Sequence, residues 1–319
     1  RLLVSYLVTV LFLVTLNFFL PRAMPGDPIS TILAMRAPTT EEDVVTRAEL
    51  ERYYGLDEPV VVQFGRYLGD LAQGDLGLSI RYRAPVGKLV RERLPWTLLL
   101  VGTAMAIATS AGLLAGIHSG WRRGRAVDRG MLSLFMGMRN FPVFFLGTLA
   151  LFVFAVKLDW FPLSGASTPF SDSFGPLRRL ADVAHHLVLP ASVLAVQFTA
   201  GHYLTMRGSM VTQLGSDYLL LGRAKGLHER RLKYGYAARN ALLPSLSLTA
   251  ALASFAVSGS ILVETVFAYQ GMGRLLYESV GFRDYPTLQA CFLVLTLVVL
   301  AANFLADLLY GRLDPRTVA

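Results

Sequence analysis

One cysteine in 319 residues, Cys291, leaves no internal disulfide and no cysteine-based metal site to expect. Charge is scarce as well: Asp, Glu, Lys and Arg make up 16% of the chain, against about 25% in soluble domains. No segment carries the glycine-rich run ending in Lys-Ser/Thr that cradles nucleotide phosphates, so the chain is not expected to hydrolyse ATP by itself. No Ser/His/Asp or metal constellation is evident, so neither a catalytic residue nor a metal ligand is expected. Internal repeats and low-complexity linkers are missing too. The net charge of +8 would suit nucleic acid. The basic residues, however, are not gathered into one face with interleaved aromatics, and nucleic acid is not expected as a partner.

What is abundant is apolar sequence. Hydrophobic residues reach 54%, and mean hydropathy is +0.49. A helix needs roughly 20 mostly apolar residues to cross a bilayer. Six segments qualify: Leu2–Leu20, Trp96–Ile117, Met131–Val156, Leu187–Met206, Leu242–Phe267 and Leu288–Tyr310. Runs this long exceed barrel strands, and helices are the other structure whose backbone is satisfied in lipid. The first run is longer than the apolar core of a signal peptide and reads as a retained helix. The chain opens on Arg1 rather than Met, so native residues are expected before it.

Lys and Arg in the short loops set the orientation. Arg122, Arg123, Arg125 and Arg129 follow the second run. Arg207, Arg223, Lys225, Arg230, Arg231, Lys233 and Arg239 follow the fourth. The alternate short loops hold fewer: Lys157, Arg178 and Arg179 in one, Arg274 and Arg283 in the other. Both chain ends are therefore expected in the cytoplasm, together with the 207–241 loop. The long 21–95 segment is expected outside, where its ten basic residues count little. Thr39-Thr40-Glu41-Glu42 suits a helix start, with a run to Tyr54 and a stop at Gly55. A second amphipathic piece covers Val60 to Leu71. A third, Val86 to Leu94, suits a helix lying in the interface ahead of the second span.

The most informative stretch is polar. It reads Asp217-Tyr218, Arg223-Ala224-Lys225-Gly226-Leu227, then Arg239-Asn240-Ala241-Leu242-Leu243-Pro244, between apolar runs. Ser216 or Asp217 can cap a short helix there, and Gly226 can end it by accepting positive φ. This segment resembles the cytoplasmic coupling loop of ABC importer permeases of the dipeptide/oligopeptide/nickel family. Pro25-Gly26-Asp27-Pro28, Tyr54-Gly55-Leu56-Asp57, Gly74-Asp75-Leu76-Gly77 and Leu94-Pro95 resemble the family in order. So do Phe141-Pro142, Val263-Glu264-Thr265-Val266-Phe267, Gly271-Met272-Gly273, Arg283-Asp284-Tyr285-Pro286 and Leu313-Asp314-Pro315-Arg316. The generic importer signature has an acidic residue and two alanines where Leu220-Leu221-Gly222 stands, and a proline where Arg239 stands. Both departures are compatible with the peptide/nickel branch.

The resemblance implies an all-α integral membrane protein with six transmembrane helices and a small helical external domain. Helix 1 would span 1–20, the external domain 21–95, the permease core 96–310 and a cytoplasmic tail 311–319. It implies docking of an ATPase on the 216–227 helix through Asp217, Tyr218, Arg223, Ala224, Lys225, Gly226 and Leu227. Further partners implied are a second homologous permease, two ATPase subunits in all and an external substrate-binding protein. ATP and Mg would sit on the ATPases and no cofactor on this chain. Peptides are the expected cargo, with nickel chelates or oligosaccharides as the alternative. An ion-coupled carrier fits less well, because spans two to five hold no clear acidic relay.

Several residues within the spans are candidates on their own. Arg139 and Asn140 lie inside span three, where a charge usually faces a cavity or a partner; snorkelling to the surface is the competing reading. Glu264 could gate the pathway, meet the binding protein or make a structural hydrogen bond. His185-His186 reads as an interfacial pair before it reads as a nickel site. Asn303 and Asp307 suit interhelical hydrogen bonding. Ala104, Ala108, Gly112, Gly116 and Gly120, at every fourth position of span two, let another helix come close, within the subunit by preference.

Overall fold

A computed structural model describes residues 2–23, 49, 52 and 57–313. Among these residues the chain is helical, with one isolated bridge between Leu78 and Pro85. The helices are α1 (Leu2–Arg22), α2 (Val60–Ala72), α3 (Val86–Trp121), α4 (Ala126–Arg139) and α5 (Val143–Ala150). They continue with α6 (Pro176–Gln213), α7 (Asp217–Ala224), α8 (Glu229–Arg231), α9 (Arg239–Val266), α10 (Met272–Phe282) and α11 (Tyr285–Leu313). Two π-helical stretches are inserted, Leu151–Lys157 after α5 and Leu232–Ala238 before α9. Pro25-Gly26-Asp27-Pro28, most of the expected Thr39–Tyr54 helix, Gly55-Leu56 and Asp314-Pro315-Arg316 lie outside the described residues.

Each expected apolar run is mostly helical. Among the described residues α3, α6 and Tyr285–Leu305 of α11 are each long and apolar enough to cross a membrane alone. Shorter apolar stretches, Val8–Arg22 and Ala251–Val266, lie on α1 and α9. Two expectations are corrected. Met131–Val156 is not one straight span: α4 and α5 are separate helices bent by 98° around Asn140-Phe141-Pro142. Proline disfavours the helical region for the residue before it and supplies no N–H, so α4 stops and α5 starts anew. Val86–Leu94 is also not a separate helix, because α3 runs through Pro95 without a break. At 1.5 Å per residue α3 is about 54 Å long, well beyond a hydrocarbon core of ~30 Å.

The chain divides into two compact units. The first joins residues 1–95 to 271–298. In it Phe18 of α1 is fully buried against Phe64 and Tyr67 of α2, at 5.0 and 5.4 Å between ring centroids. Arg22 stacks 3.6 Å over the same ring and donates to Gln63 Oε1. The carboxylate of Asp284, at the end of α10, organises the 79–82 turn. It accepts from Ser79 Oγ at 2.5 Å, the Ile80 N–H at 3.1 Å and Thr287 Oγ1 at 2.8 Å. Glu278 on α10 binds the Tyr82 hydroxyl and Arg274. Burial alone would push its carboxyl up, but these donors outweigh burial and hold it below the usual carboxylate range.

The second unit joins residues 96–270 to 299–319. Its centre is α6, which packs on α4, α5 and α9. The small-residue stripe of α3 meets α6 directly. A Cβ added at Gly112, Gly116 or Gly120 would lie 2.5, 2.7 or 2.6 Å from the Cβ of His202, Met206 or Met210. Ala104 and Ala108 are fully buried on the same stripe. The stripe is therefore an internal packing seam. Ser254 Oγ of α9 donates to Asn303 Oδ1 of α11, as the interhelical reading of Asn303 expected; the Asp307 side chain lies outside the described residues.

Candidate functional site

The polar segment folds as the sequence foresaw, with one exception at its start. α7 opens at Asp217, and Ser216 has the extended backbone of an N-cap. Its hydroxyl, however, donates back to the Gln213 carbonyl at 2.6 Å and caps nothing. At the other end Gly226 takes φ +76°, a conformation costly for any residue with a Cβ. The Gly226 N–H donates to Arg223 O at 2.9 Å, and the Leu227 N–H to Gly222 O at 3.1 Å. This double closure satisfies two of the last helical carbonyls, and the apolar residue after the glycine folds back on the helix.

One side of α7 is an anchor. Leu219 and Gly222 are buried, and a Cβ at Gly222 would lie 2.6 Å from Leu232 Cδ2. Leu219 and Leu232 join Ile117 of α3, Met206 and Met210 of α6 and Ala241 of α9 in one buried cluster. Tyr218 and Leu227 pack against its edge, and the Tyr218 hydroxyl donates to Gln213 Oε1. The short helix is thereby seated on the ends of three long ones. Its other side is open. Asp217, Arg223, Ala224, Lys225 and Gly226 are exposed, and Leu220 and Leu221 are each 56% exposed. Two leucines left in the open on so short a helix form an apolar face ringed by charge.

An ion pair with a buried carboxylate fixes the frame beside this seat. Asp128 of α4 accepts from Arg207 of α6 in a two-pronged contact, Nε to Oδ1 at 2.7 Å and Nη2 to Oδ2 at 2.8 Å. Ser119 Oγ, at 2.5 Å, and the Gly124 N–H, at 2.9 Å, complete its shell. All its strong acceptor directions are filled, which is the condition under which a buried charge holds a fold. The sequence reading missed this clamp, because 79 positions separate its partners. It missed Leu219 and Leu232 as well, and saw Gly222 only as a departure from a signature.

The other candidates lie elsewhere and are not joined to this seat or to each other by any hydrogen bond or ion pair among those described. Arg139 and Asn140 are exposed at the α4–α5 bend, where Asn140 donates to the Met136 carbonyl. Glu264 is fully buried near the end of α9 and accepts from Thr97 Oγ1 of α3 at 2.7 Å. His185 Nε2 lies 2.8 Å from the Trp160 carbonyl, and His186 Nδ1 lies 2.9 Å from that of Asp182.

Residues 108–319 match the family model described as "Binding-protein-dependent transport system inner membrane component". The chain is 35% identical over 306 residues to the oligopeptide transport system permease protein AppB of Bacillus subtilis, covering 94% of this chain and 92% of that protein. It is 34% identical over 317 residues to the di/tripeptide transport system permease protein DppB of Pseudomonas aeruginosa, again covering 94% of this chain and 92% of that protein. The matched region contains the bent pair, the central α6 and the seated α7. The chain belongs to the family of inner-membrane components of binding-protein-dependent transport systems.

Proposed function

We propose that this chain is the permease subunit of an ATP-driven importer of di- or oligopeptides, supplying half of the translocation pathway. The peptide cargo is supported by the names of relatives that match it nearly end to end. The observation that carries the mechanism is the two-sided helix α7: Leu219 and Gly222 locked into the ends of α3, α6 and α9, and Leu220, Leu221, Arg223 and Lys225 facing out. An ATPase gripping that outer face pulls on three spans at once. A partner shifts a two-state equilibrium by as much as its affinity differs between the states. ATP-driven closure of the ATPases supplies that difference.

In this reading six spans cross the membrane with both termini and the 207–241 loop in the cytoplasm. The 21–95 segment faces the binding protein outside. A second homologous permease completes the pathway, and two ATPases carry ATP and Mg. Arg139 and Asn140, exposed at the bend, are the groups proposed to meet cargo carbonyls or carboxylates. Glu264, buried against Thr97, would hold the outer end of α9 to α3 and take no part in binding.

The test is the reconstituted complex carrying Gly226→Pro or Arg223→Glu. Proline fixes φ near −65° and has no N–H to give Arg223, so the helix end cannot close. Membrane insertion is expected to be unchanged, while ATP-dependent peptide uptake falls at least about tenfold, a barrier change of ~1.4 kcal/mol. Uptake at the wild-type rate in both variants would remove α7 from the mechanism.

A further inference from the structure

Beside α7 the second unit holds a cleft of about 530 Å³ that the transport reading leaves without a role. Five cations line it: Arg122 and Arg125 from the turn between α3 and α4, Arg223 from α7, and Arg230 and Lys233 beyond α7. One acid, Glu229, stands among them and pairs with Arg223 at 3.5 Å. Arg122, Arg125 and Arg230 have no ion pair among the described residues. The carboxylate that could have neutralised the turn, Asp128, is filled by Arg207, Ser119 and Gly124. Lys233 is 8% exposed, with Nζ 3.2 Å from His118 Nδ1 and 4.7 Å above the Tyr234 ring. A buried ammonium and three open guanidinium forks around one concavity describe a seat for a compact anion with several acceptor oxygens.

We propose that this cleft binds a phosphate group, carried by an anionic phospholipid. Depth favours the lipid as its source. Trp121 lies four residues beyond Ile117, the last residue of the apolar run, so about 6 Å of helix separates the cleft wall from the end of the hydrocarbon-matching segment. That distance is within the headgroup layer, where Trp and Tyr gather. Trp121 and Tyr234 both line the cleft. Arg223 is shared: exposed on α7 with Leu220, Leu221 and Lys225, it also lines the cleft, its guanidinium 5.8 Å from the Trp121 ring. A bound headgroup would therefore steady the helix that is proposed to receive the ATPase. This inference rests on the cytoplasmic placement of the loop and is independent of the cargo.

The assembled transporter is purified as wild type, as Arg122→Gln/Arg125→Gln/Arg230→Gln, as each single glutamine variant, and as the triple lysine variant. Phosphatidylglycerol and phosphatidylcholine retained after exchange into mixed micelles are quantified by mass spectrometry. Wild type is expected to retain phosphatidylglycerol preferentially, and each glutamine to lower that preference roughly fivefold, as for one basic group near an anionic surface. The lysine variant, which keeps the charge, is expected to keep most of it. The single variants carry the test if the triple variant fails to assemble. Displacement of the lipid by inorganic phosphate at millimolar concentration supports the phosphate seat and assigns it a soluble source. Unchanged lipid preference in the glutamine variants overturns the proposal, and a simultaneous loss of the ATPases would reassign the cleft to a protein contact. Absence of ATPases from the wild-type complex would instead strike the transport reading.

Discussion

Gly116 shows how much of this molecule depends on side chains that are missing. Its ideal Cβ would sit 2.7 Å from Met206 Cβ and 2.9 Å from the Tyr203 carbonyl, distances that two helices cannot absorb without separating. Gly116→Val is expected to destabilise the purified protein by about 1–3 kcal/mol, as overpacking does elsewhere. Gly102→Ala, on the same helix with nothing within 4 Å, is expected to be close to neutral. Thermal unfolding of the two variants in one detergent tests the contrast, and equal midpoints would break the argument. The stripe was legible in the sequence because small residues recur at a helical period. Asp128 and Arg207 were not: a charge in the first turn of α4 and a charge inside α6 carry no sign of each other until the fold joins them.

Among the elements, α7 was the most readable and the α4–α5 pair the least. A glycine needing positive φ after a short amphipathic run announces a helix end, and Gly226 does what its type suggests. Proline inside an apolar run is ambiguous. Pro95, Pro190 and Pro244 sit inside helices that continue through them, whereas Pro142 heads a new helix after a 98° turn. The difference is the residue before it. Phe141 lies outside both helices, and α4 closes as the Asn140 N–H donates to the Gly137 carbonyl and the Phe141 N–H to that of Met138. Pro142→Ala restores the missing N–H and lifts the restriction on Phe141. The expected outcome is partial straightening, read by pulsed electron spin resonance as a longer separation between labels at Leu134 and Phe152. An unchanged separation would place the cause of the bend in packing. The π stretches escaped the sequence for a simpler reason: one extra residue per turn leaves no compositional trace.

For the whole molecule, run length and composition delivered the class, an all-helical membrane protein, and the family match agrees with it. Sidedness is the corresponding prediction. Cys291 is buried and can be replaced by serine to give a background without reactive thiols. In intact cells a single cysteine at Asp75 is expected to react with a membrane-impermeant maleimide. One at Lys225 is expected to react only after permeabilisation, and the reverse pattern would invert the topology. What length and charge could not convey is which helices act together, since that depends on shapes meeting across the chain.

The glycine seam has one more consequence. Two rods meshed so closely that a methyl group would jam them cannot slide or roll past one another during a transport cycle. They must travel as a single lever, and whatever deformation opens and shuts the passage has to be absorbed at softer joints, of which the elbow at Pro142 and the loosely wound turn from Leu232 to Ala238 are the nearest along the backbone.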